Sequence, residues 1–456
     1  MKFYDRKREL ALLQEYFDIV SSKGSRMLVI TGRRRIGKTR LVLESTKNHA
    51  YLYFFVRKKR IQQSIIEWSE QVKQTFGNVF FGNFTNLEDF LKFLFEYSQS
   101  NPFVLIFDEV QNLLYSSPSE FATFQKIFDL YKEKSKILLI FTGSSYSLME
   151  RIFKHAKEPL FGRASEIITL SYLPIRTQKE ILKDLDLYSG ENLLHLFSIF
   201  DGIPKYIEEL SDIDLPKFKQ RISKLISSRE LIWEEGENIL KEEFGKEYSS
   251  YFSILSAIAK GRRKMNEIEQ FTRIKNSGAY LKKLEKVYKL IERKLPVTSK
   301  SRKERKGRYF IRDNFFDFWF KFIDAKRNLK EIGKSELAFE EIWRGLKQYE
   351  GRKLENLFIR TVIEENPLNL SFNRIGKYWD RKGEIEIDAV LMDDINKICY
   401  LFEIKTSRKK ITSKMLSKLE NNTRKIPEFK DYQIMIGIVY LNKTGIKCQL
   451  ISKLVN

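Results

Sequence analysis

Apolar residues along this chain fall into two kinds of run. Short uninterrupted runs, "MLVI" (27–30), "FVLIF" (103–107) and "ILLIF" (137–141), predict strands buried on both faces of a parallel sheet. Apolar positions at helical spacing dominate 171–235 and recur in "YSSYFSILSAIAKG", which stops at Gly261. The short "KMNEIEQF" and then "NSGAYLKKLEKVYKLIER" follow as helices, the last opened by Asn276 and Ser277. Leu281, Leu284 and Tyr288 share one face of that third helix, with Lys282, Lys283, Lys286 and Lys289 on the others. "KLPV" and "GRYFIRD" predict a pair of strands. Further on, "YEGRKLENLFIRTVIEE" predicts a helix carrying Glu355 near its start. Beyond it, "EIEIDAVL" and "ICYLFEIK" alternate about a turn-like "DDINK" and predict an antiparallel hairpin.

Composition narrows the class. A chain of 456 residues with 42% hydrophobic and 14% aromatic content is globular and long enough for about three domains. Two cysteines and three scattered histidines exclude a disulfide framework and argue against a Cys or His metal centre. The charged start "MKFYDRKREL" is no secretory signal, and no apolar run reaches membrane-spanning length, so the expectation is a soluble cytoplasmic protein with no membrane partner. Net charge is +23, and residues 260–312 hold 19 Lys and Arg against 5 Asp and Glu. That local excess of +14 points to a polyanionic partner.

The first strand runs into Gly32-Arg33-Arg34-Arg35-Ile36-Gly37-Lys38-Thr39 and then a helix, the strand–loop–helix context of a phosphate loop. Its glycines let backbone N–H groups wrap the phosphates of ATP. Lys38 reaches the terminal phosphates, and Thr39 is placed to ligate Mg²⁺. The second strand ends in Asp108-Glu109: Asp108 is the expected metal-side carboxylate and Glu109 the group that polarises the attacking water. The third ends at Thr142-Gly143-Ser144-Ser145, where a polar group can sense the γ-phosphate. Arg163 in "EPLFGRASEI" is a candidate charge-stabilising arginine, in cis or on a neighbouring subunit of a homo-oligomer, with a plain surface role as the alternative.

The ordered set "FYDRKREL", "GRRRIGKT", "LIFDEVQNL", "FTGSS", "PLFGRA" and "GIPKYI" resembles the archaeal ATPase family, within the AAA+/STAND group of P-loop ATPases, over residues 3–235. The resemblance implies that Asp5, Arg6 and Glu9 lie near the adenine. It also matches Ser144 to the first sensor and Gly202 to Pro204 to the nucleotide-contacting turn of a helical lid.

The basic middle has the order of a winged helix-turn-helix: three helices, then two strands joined by "TSKSRKERK". On that reading DNA is the partner. Lys282, Lys283, Lys286 and Lys289 of the third helix, and Arg302, Lys303, Arg305 and Lys306 of the wing, are the candidate contacts. A solvated lysine face on an internal regulatory module is the alternative.

A hairpin turn centred on Ile395 and Asn396 sets Asp388 opposite Glu403 and Glu386 opposite Lys405. Opposed carboxylates repel unless a cation sits between them, and a hard ion such as Mg²⁺ or Mn²⁺ with Glu355 as a further ligand resolves the conflict. On the residues alone, ordinary cross-strand ion pairs explain the face more simply. The order "GRKLENLF", "GKYW", "EIEIDAV", "YLFEIKTS" reverses that preference, because it resembles the PD-(D/E)XK nuclease superfamily in the form, often called DUF234, carried by archaeal ATPases. The resemblance makes Asp388, Glu403, Lys405 and Glu355 the catalytic set, with Thr406 where many relatives have Trp. The expected fold is α/β. A P-loop parallel-sheet core (1–170) and helical lid (171–235) lead to a winged helix (236–312) and a restriction-endonuclease-like α/β domain (313–456).

Overall fold

A computed structural model describes residues 1–77, 84–301, 304 and 306–454. The chain divides into two compact units, residues 2–172 and 173–456.

Five parallel strands form the first unit's sheet: β1 (Arg26–Thr31), β2 (Tyr51–Phe55), β3 (Phe103–Asp108), β4 (Ile137–Gly143) and β5 (Glu166–Thr169), in the order β2-β3-β4-β1-β5. The uninterrupted apolar runs are β1, β3 and β4, the three inner strands, because helices cover both of their faces. Alternate residues on one face (Met27, Val29, Phe103, Leu105, Phe107, Ile137, Leu139, Phe141) join an aromatic core with Phe54, Trp68, Phe90 and Phe124. The ring centroids of Phe107 and Phe124 lie 4.9 Å apart and those of Phe54 and Trp68 5.2 Å. Parallel pairing aligns the strand ends: Thr31 sits beside Gly143, and Phe55 beside Asp108. The residues that follow β1, β3 and β4, among them Lys38, Thr39, Glu109 and Ser144, therefore come off the same end of the sheet.

The second unit opens with helices from Ile175 to Phe244. Helices Tyr248–Ala259, Met265–Thr272 and Ser277–Lys286 follow, then β6 (Ile291–Lys294) paired antiparallel with β7 (Arg308–Ile311). The third helix was expected to run on to Arg293, but it stops at Lys286. The Leu290 N–H turns back to the Leu284 carbonyl, Lys289 takes φ 54°, and Ile291 is buried opposite Ile311 as strand. The first strand is thus "IERK" rather than "KLPV", with tertiary pairing overriding a helical pattern. Similarly, Glu355 lies well inside the long helix Ser335–Glu365, not near a helix start.

A mixed sheet closes the chain: β8 (Arg374–Trp379), β9 (Glu386–Asp393), β10 (Ile398–Lys405), β11 (Gln433–Asn442) and β12 (Gly445–Leu454), in the order β12-β11-β10-β9-β8. Only β10 and β11 run parallel, and the helix Ser413–Thr423 lies in their connection. Both faces are covered. Leu401, Val390 and Ile436 share a core with Leu419 and Phe429, while Phe402 packs on Phe358 of the long helix at 4.9 Å. Gly437 makes room for that second contact, since a Cβ there would stand 2.3 Å from the Phe402 ring.

Candidate functional sites

In the first unit the β1 strand delivers the chain into the loop 32–37 and the helix Lys38–Ser45. Gly32 is fixed by space, because a Cβ would come within 2.9 Å of the Leu170 carbonyl oxygen. Arg35 (φ 70°) and Gly37 (φ 91°) are both left-handed, which curls the backbone ahead of the helix N-terminus. Lys38 is buried, and its ammonium donates to the carbonyls of Gly32 (3.0 Å) and Arg33 (3.2 Å). The loop's own carbonyls hold this cation beneath the phosphate cradle.

Asp108 collects three hydroxyls from three elements. Thr39 Oγ1 and the Tyr53 phenol each donate to Oδ2 at 2.6 Å, and Thr142 Oγ1 donates to Oδ1. Burial first, and then the Asp108 charge, push the Tyr53 hydroxyl far above its ordinary pKa, so it stays a donor. Glu109 follows at φ 58°, a left-handed conformation that costs energy for a non-glycine residue and turns its carboxylate off the strand. That carboxylate accepts from Ser144 Oγ (2.7 Å), from the Ser144 N–H (3.3 Å) and from Gln111 Nε2. The predicted Lys38, Thr39, Asp108, Glu109 and Ser144 are thus linked at one sheet edge. Arg163 is not among their partners: it pairs with Asp129 at 2.9 Å and donates to the Phe161 carbonyl. Arg6 holds Glu9 at 3.2 Å and donates to the Ser171 carbonyl. Gly202 and Pro204 belong to the second unit. There Gly202 (φ 74°) faces Gln178 and the Leu173 carbonyl, and Pro204 opens the helix Pro204–Ser211.

In the second unit the hairpin register is the predicted one. Ile398 pairs with Asp393 and Phe402 with Ala389, where the pairing ends just short of Asp388 and Glu403. The β8–β9 register then shifts between Gly376 and Tyr378, so Asp388 and Ala389 stand against the single residue Lys377. Such a bulge re-aims side chains. Asp388 Oδ2 accepts from the Ile404 N–H (3.0 Å) and the Lys405 ammonium (3.3 Å), and Lys405 also pairs with Glu403 at 2.5 Å. Glu355 is taken by Lys377 at 2.5 Å. Glu386, expected opposite Lys405, instead pairs with Arg308 at 2.7 Å.

Burial, reinforced by the Asp388 charge against Lys377, raises the Glu355 carboxyl, and burial likewise raises Glu403. Burial lowers Lys377 in spite of Glu355. For Lys405, Asp388 and Glu403 outweigh burial and raise it. Among the described residues no group of three or more His, Cys, Asp or Glu is gathered to hold a metal ion. A site that takes its metal with the nucleotide is compatible with this, since Mg²⁺ needs only one or two protein ligands beside phosphate oxygens. The set Glu355, Asp388 and Glu403 does not form a metal cage as it stands, because two ammonium groups already compensate its charge.

Of the basic candidates, Lys282, Lys283 and Lys286 are exposed on the helix Ser277–Lys286, with Lys283 3.6 Å from Glu247 and Lys286 3.8 Å from Glu285. Lys289 is in the turn beyond it, and the Lys306 carbonyl accepts from the Trp379 indole at 3.0 Å. Arg302, Lys303 and Arg305 lie outside the described residues. Two participants escaped the sequence reading. Tyr53 meets Asp108 only because β2 lies beside β3, and sequence gives no strand order. Lys377 stands in the "GKYW" stretch, but its role depends on a bulge that no local pattern announces.

Comparison with known proteins gives a consistent outcome. Residues 3–210 match the family described as an ATPase domain predominantly from Archaea, and residues 319–444 match a domain described as archaeal and bacterial proteins of unknown function. An uncharacterised protein of Methanocaldococcus jannaschii is 32% identical over 408 residues, covering 88% of this chain and 87% of its own length. The Walker-type ATPase of Pyrococcus abyssi is similar in structure, with a TM-score of 0.52 at 19% identity over 70% of this chain and 96% of that one. The ORC2 protein of Aeropyrum pernix, solved with ADPNP and ADP, gives 0.45 at 15% identity, over 73% of this chain and 96% of that one.

Proposed function

The chain belongs to the family of ATPases found predominantly in Archaea, and from that premise we propose that it binds and hydrolyses ATP and uses the nucleotide state to govern a DNA-directed second unit. One observation carries the first half: Thr39, Tyr53 and Thr142 converge on Asp108 while Ser144 holds Glu109 beside it. Thr39 and Asp108 are the residues that would hold Mg²⁺, which when bound neutralises and orients the phosphate oxygens. Loop N–H groups and Lys38 bind the phosphate chain. Glu109 accepts a hydrogen bond from the attacking water and orients it in line, and Ser144 restrains Glu109 until the γ-phosphate competes for its hydroxyl. Gly202 and Pro204 keep their implied nucleotide role as part of this reading, and so does Arg163 once released from Asp129. The test is phosphate release from ATP. Lys38→Ala abolishes it, and Glu109→Gln leaves nucleotide bound but unhydrolysed; turnover surviving Lys38→Ala ends the assignment.

For the second unit, the proposed target is the phosphodiester backbone of DNA. Its support is the +14 segment together with a carboxylate–lysine cluster in which Lys405 pairs with both Asp388 and Glu403. A second reading is favoured by a specific observation: Lys377 and Lys405 already pair with Glu355, Asp388 and Glu403, as in a nuclease fold retained without cleavage, its unit acting as a nucleotide-regulated DNA-binding switch. Plasmid nicking with Mn²⁺ or Mg²⁺ separates the two. Cleavage abolished by both Asp388→Ala and Lys405→Ala supports an active nuclease, and no cleavage by the wild-type chain supports the switch.

A further inference from the structure

Beside the carboxylate–lysine cluster, the second unit gathers five cations: Lys294 and Arg308 are paired, with Glu292 at 2.8 Å and Glu386 at 2.7 Å, while among the described residues Arg263, Lys321 and Arg352 are not. Arg263 follows the helix Tyr248–Ala259 and stacks its guanidinium 4.3 Å from the Phe310 ring of β7. Lys294 of β6 stands over the same ring at 5.5 Å, and its cross-strand partner is Arg308. Like charges directly opposed on a two-stranded sheet repel, and Glu292 and Glu386 offset this pair only from its own flanks. Arg308 lies 4.9 Å over Trp379 of β8, and the Val297 N–H bonds the Lys377 carbonyl at 2.9 Å. The loop end of the β6–β7 hairpin is therefore fastened to the sheet edge that carries Lys377.

Arg352 is exposed on the helix Ser335–Glu365, three residues before Glu355, and Lys321 is half-buried 5.4 Å from the Tyr349 ring of the same helix. The nearby carboxylates are committed: Asp317 to Lys353 at 2.6 Å, Glu386 to Arg308, and Glu355 to Lys377. Among the described residues no ion pair engages Arg263, Lys321 or Arg352. Burial, and then the Arg352 charge, lower the pKa of both Arg263 and Lys321, which places the three within electrostatic reach of one another.

We propose that Arg263, Lys294, Arg308, Lys321 and Arg352 form a phosphate-binding rim that seats a nucleic-acid backbone against the Glu355–Lys377–Asp388 cluster. This rests on the DNA-directed reading above and relocates its main contact. The backbone is gripped at the loop end of the hairpin and the long helix, not by the lysines of the helix Ser277–Lys286. Planar guanidinium groups held on aromatic rings suit phosphate oxygens, and two or three such contacts in a row match a strand rather than a single anion.

The experiment measures binding of a fluorescent duplex of arbitrary sequence to the full chain across a salt series, with ATP turnover and melting temperature as folding controls. Two variants are compared: Arg263→Gln with Arg352→Glu, and Lys282→Gln with Lys283→Gln and Lys286→Gln. Because Arg352 is exposed, Arg352→Glu alone serves if the double variant melts early. The rim variant is expected to bind on the order of tenfold or more weakly at 0.1 M salt, its log–log salt slope falling by about 2, while the helix variant stays close to wild type. Wild-type binding by the rim variant together with loss in the helix variant overturns the rim but leaves the DNA reading intact. No binding by the wild-type chain overturns that reading, and the rim with it.

Discussion

The two candidate sites hold their carboxylates by opposite means. In the first unit Asp108 and Glu109 are held by hydroxyl, amide and N–H donors, and no ammonium or guanidinium pairs with either of them among the described residues. In the second unit Lys377 takes Glu355, and Lys405 bridges Asp388 and Glu403. A hydroxyl fixes the direction of a carboxylate and leaves its negative charge in place for an arriving cation. A lysine supplies the cation itself. On the proposed reading the first site accepts a metal–nucleotide without competition from an ammonium, whereas a metal at the second competes with Lys377 and Lys405.

Removing the charged parts of the first site breaks this contrast most forcefully. Lys38→Ala is expected to lower ATP turnover at least about a thousandfold, since Lys38 is the cation of the loop placed at the helix N-terminus to reach the terminal phosphates. Glu109→Gln keeps the hydrogen-bonding shape but not the charge, and should cost roughly a hundredfold or more in turnover with nucleotide affinity little changed. A pre-steady-state phosphate assay with a fluorescent nucleotide titration distinguishes these two losses. If both variants lose affinity equally, the carboxylate is only structural.

The second site should respond to pH with a definite sign. Burial raises both Glu355 and Glu403, so their folded pKa values exceed the unfolded ones. The folded state then holds these protons more firmly, and the two groups favour folding more as pH falls through the raised values. Divalent binding needs them ionised. Mn²⁺ affinity is expected to decline on acidification by about tenfold per pH unit for each proton displaced, starting above the usual carboxylate range of about 4. Calorimetric Mn²⁺ titrations between neutral and mildly acidic pH read this directly, and an affinity independent of pH would remove these two carboxylates from the ligand set.

Much of this contrast was legible before the structure, and the illegible part has physical causes. Runs such as "FVLIF" report burial on both faces without a partner, and the strand–loop–helix context of Lys38 and Thr39 is local in sequence, so both could be read directly. The register of the β9–β10 hairpin from Ala389 to Asp393 was also legible, because a short turn fixes the register of a hairpin. Long-range geometry was not. Tyr53 reaches Asp108 across a strand order that sequence does not state. Lys377 is aimed by a bulge in β9, and the helix Ser277–Lys286 ends early because Ile291 finds Ile311. The lysine compensation that separates the two sites depends on those same long-range pairings.

Lys377→Met sharpens the comparison at intermediate strength. The substitution keeps the length and apolar stem of the side chain while removing the ammonium that pairs with Glu355. Glu355 then loses its direct ion-pair partner, and a divalent ion can take that place. Mn²⁺ affinity is expected to rise on the order of tenfold near neutral pH, while ATP turnover stays as in the wild type. Weaker Mn²⁺ binding in Lys377→Met would show that Lys377 orients the site and does not compete with the ion.

Tyr53→Phe is the finest probe, since it deletes one of three hydroxyls on Asp108 and no charge. Thr39 and Thr142 remain, so the carboxylate keeps its direction, and losing a single donor should cost about 1 kcal/mol in stability. Turnover is expected to fall only about two- to fivefold, with the larger share in the concentration of Mg²⁺ needed for half-maximal rate, because a less restrained Asp108 meets the metal less often in the productive orientation. A hundredfold loss with unchanged Mg²⁺ dependence would mean that the phenol touches the nucleotide itself. Tyr53 would then belong to the reacting centre, and the hydroxyl-held site would be less like a bare metal cradle than its geometry indicates.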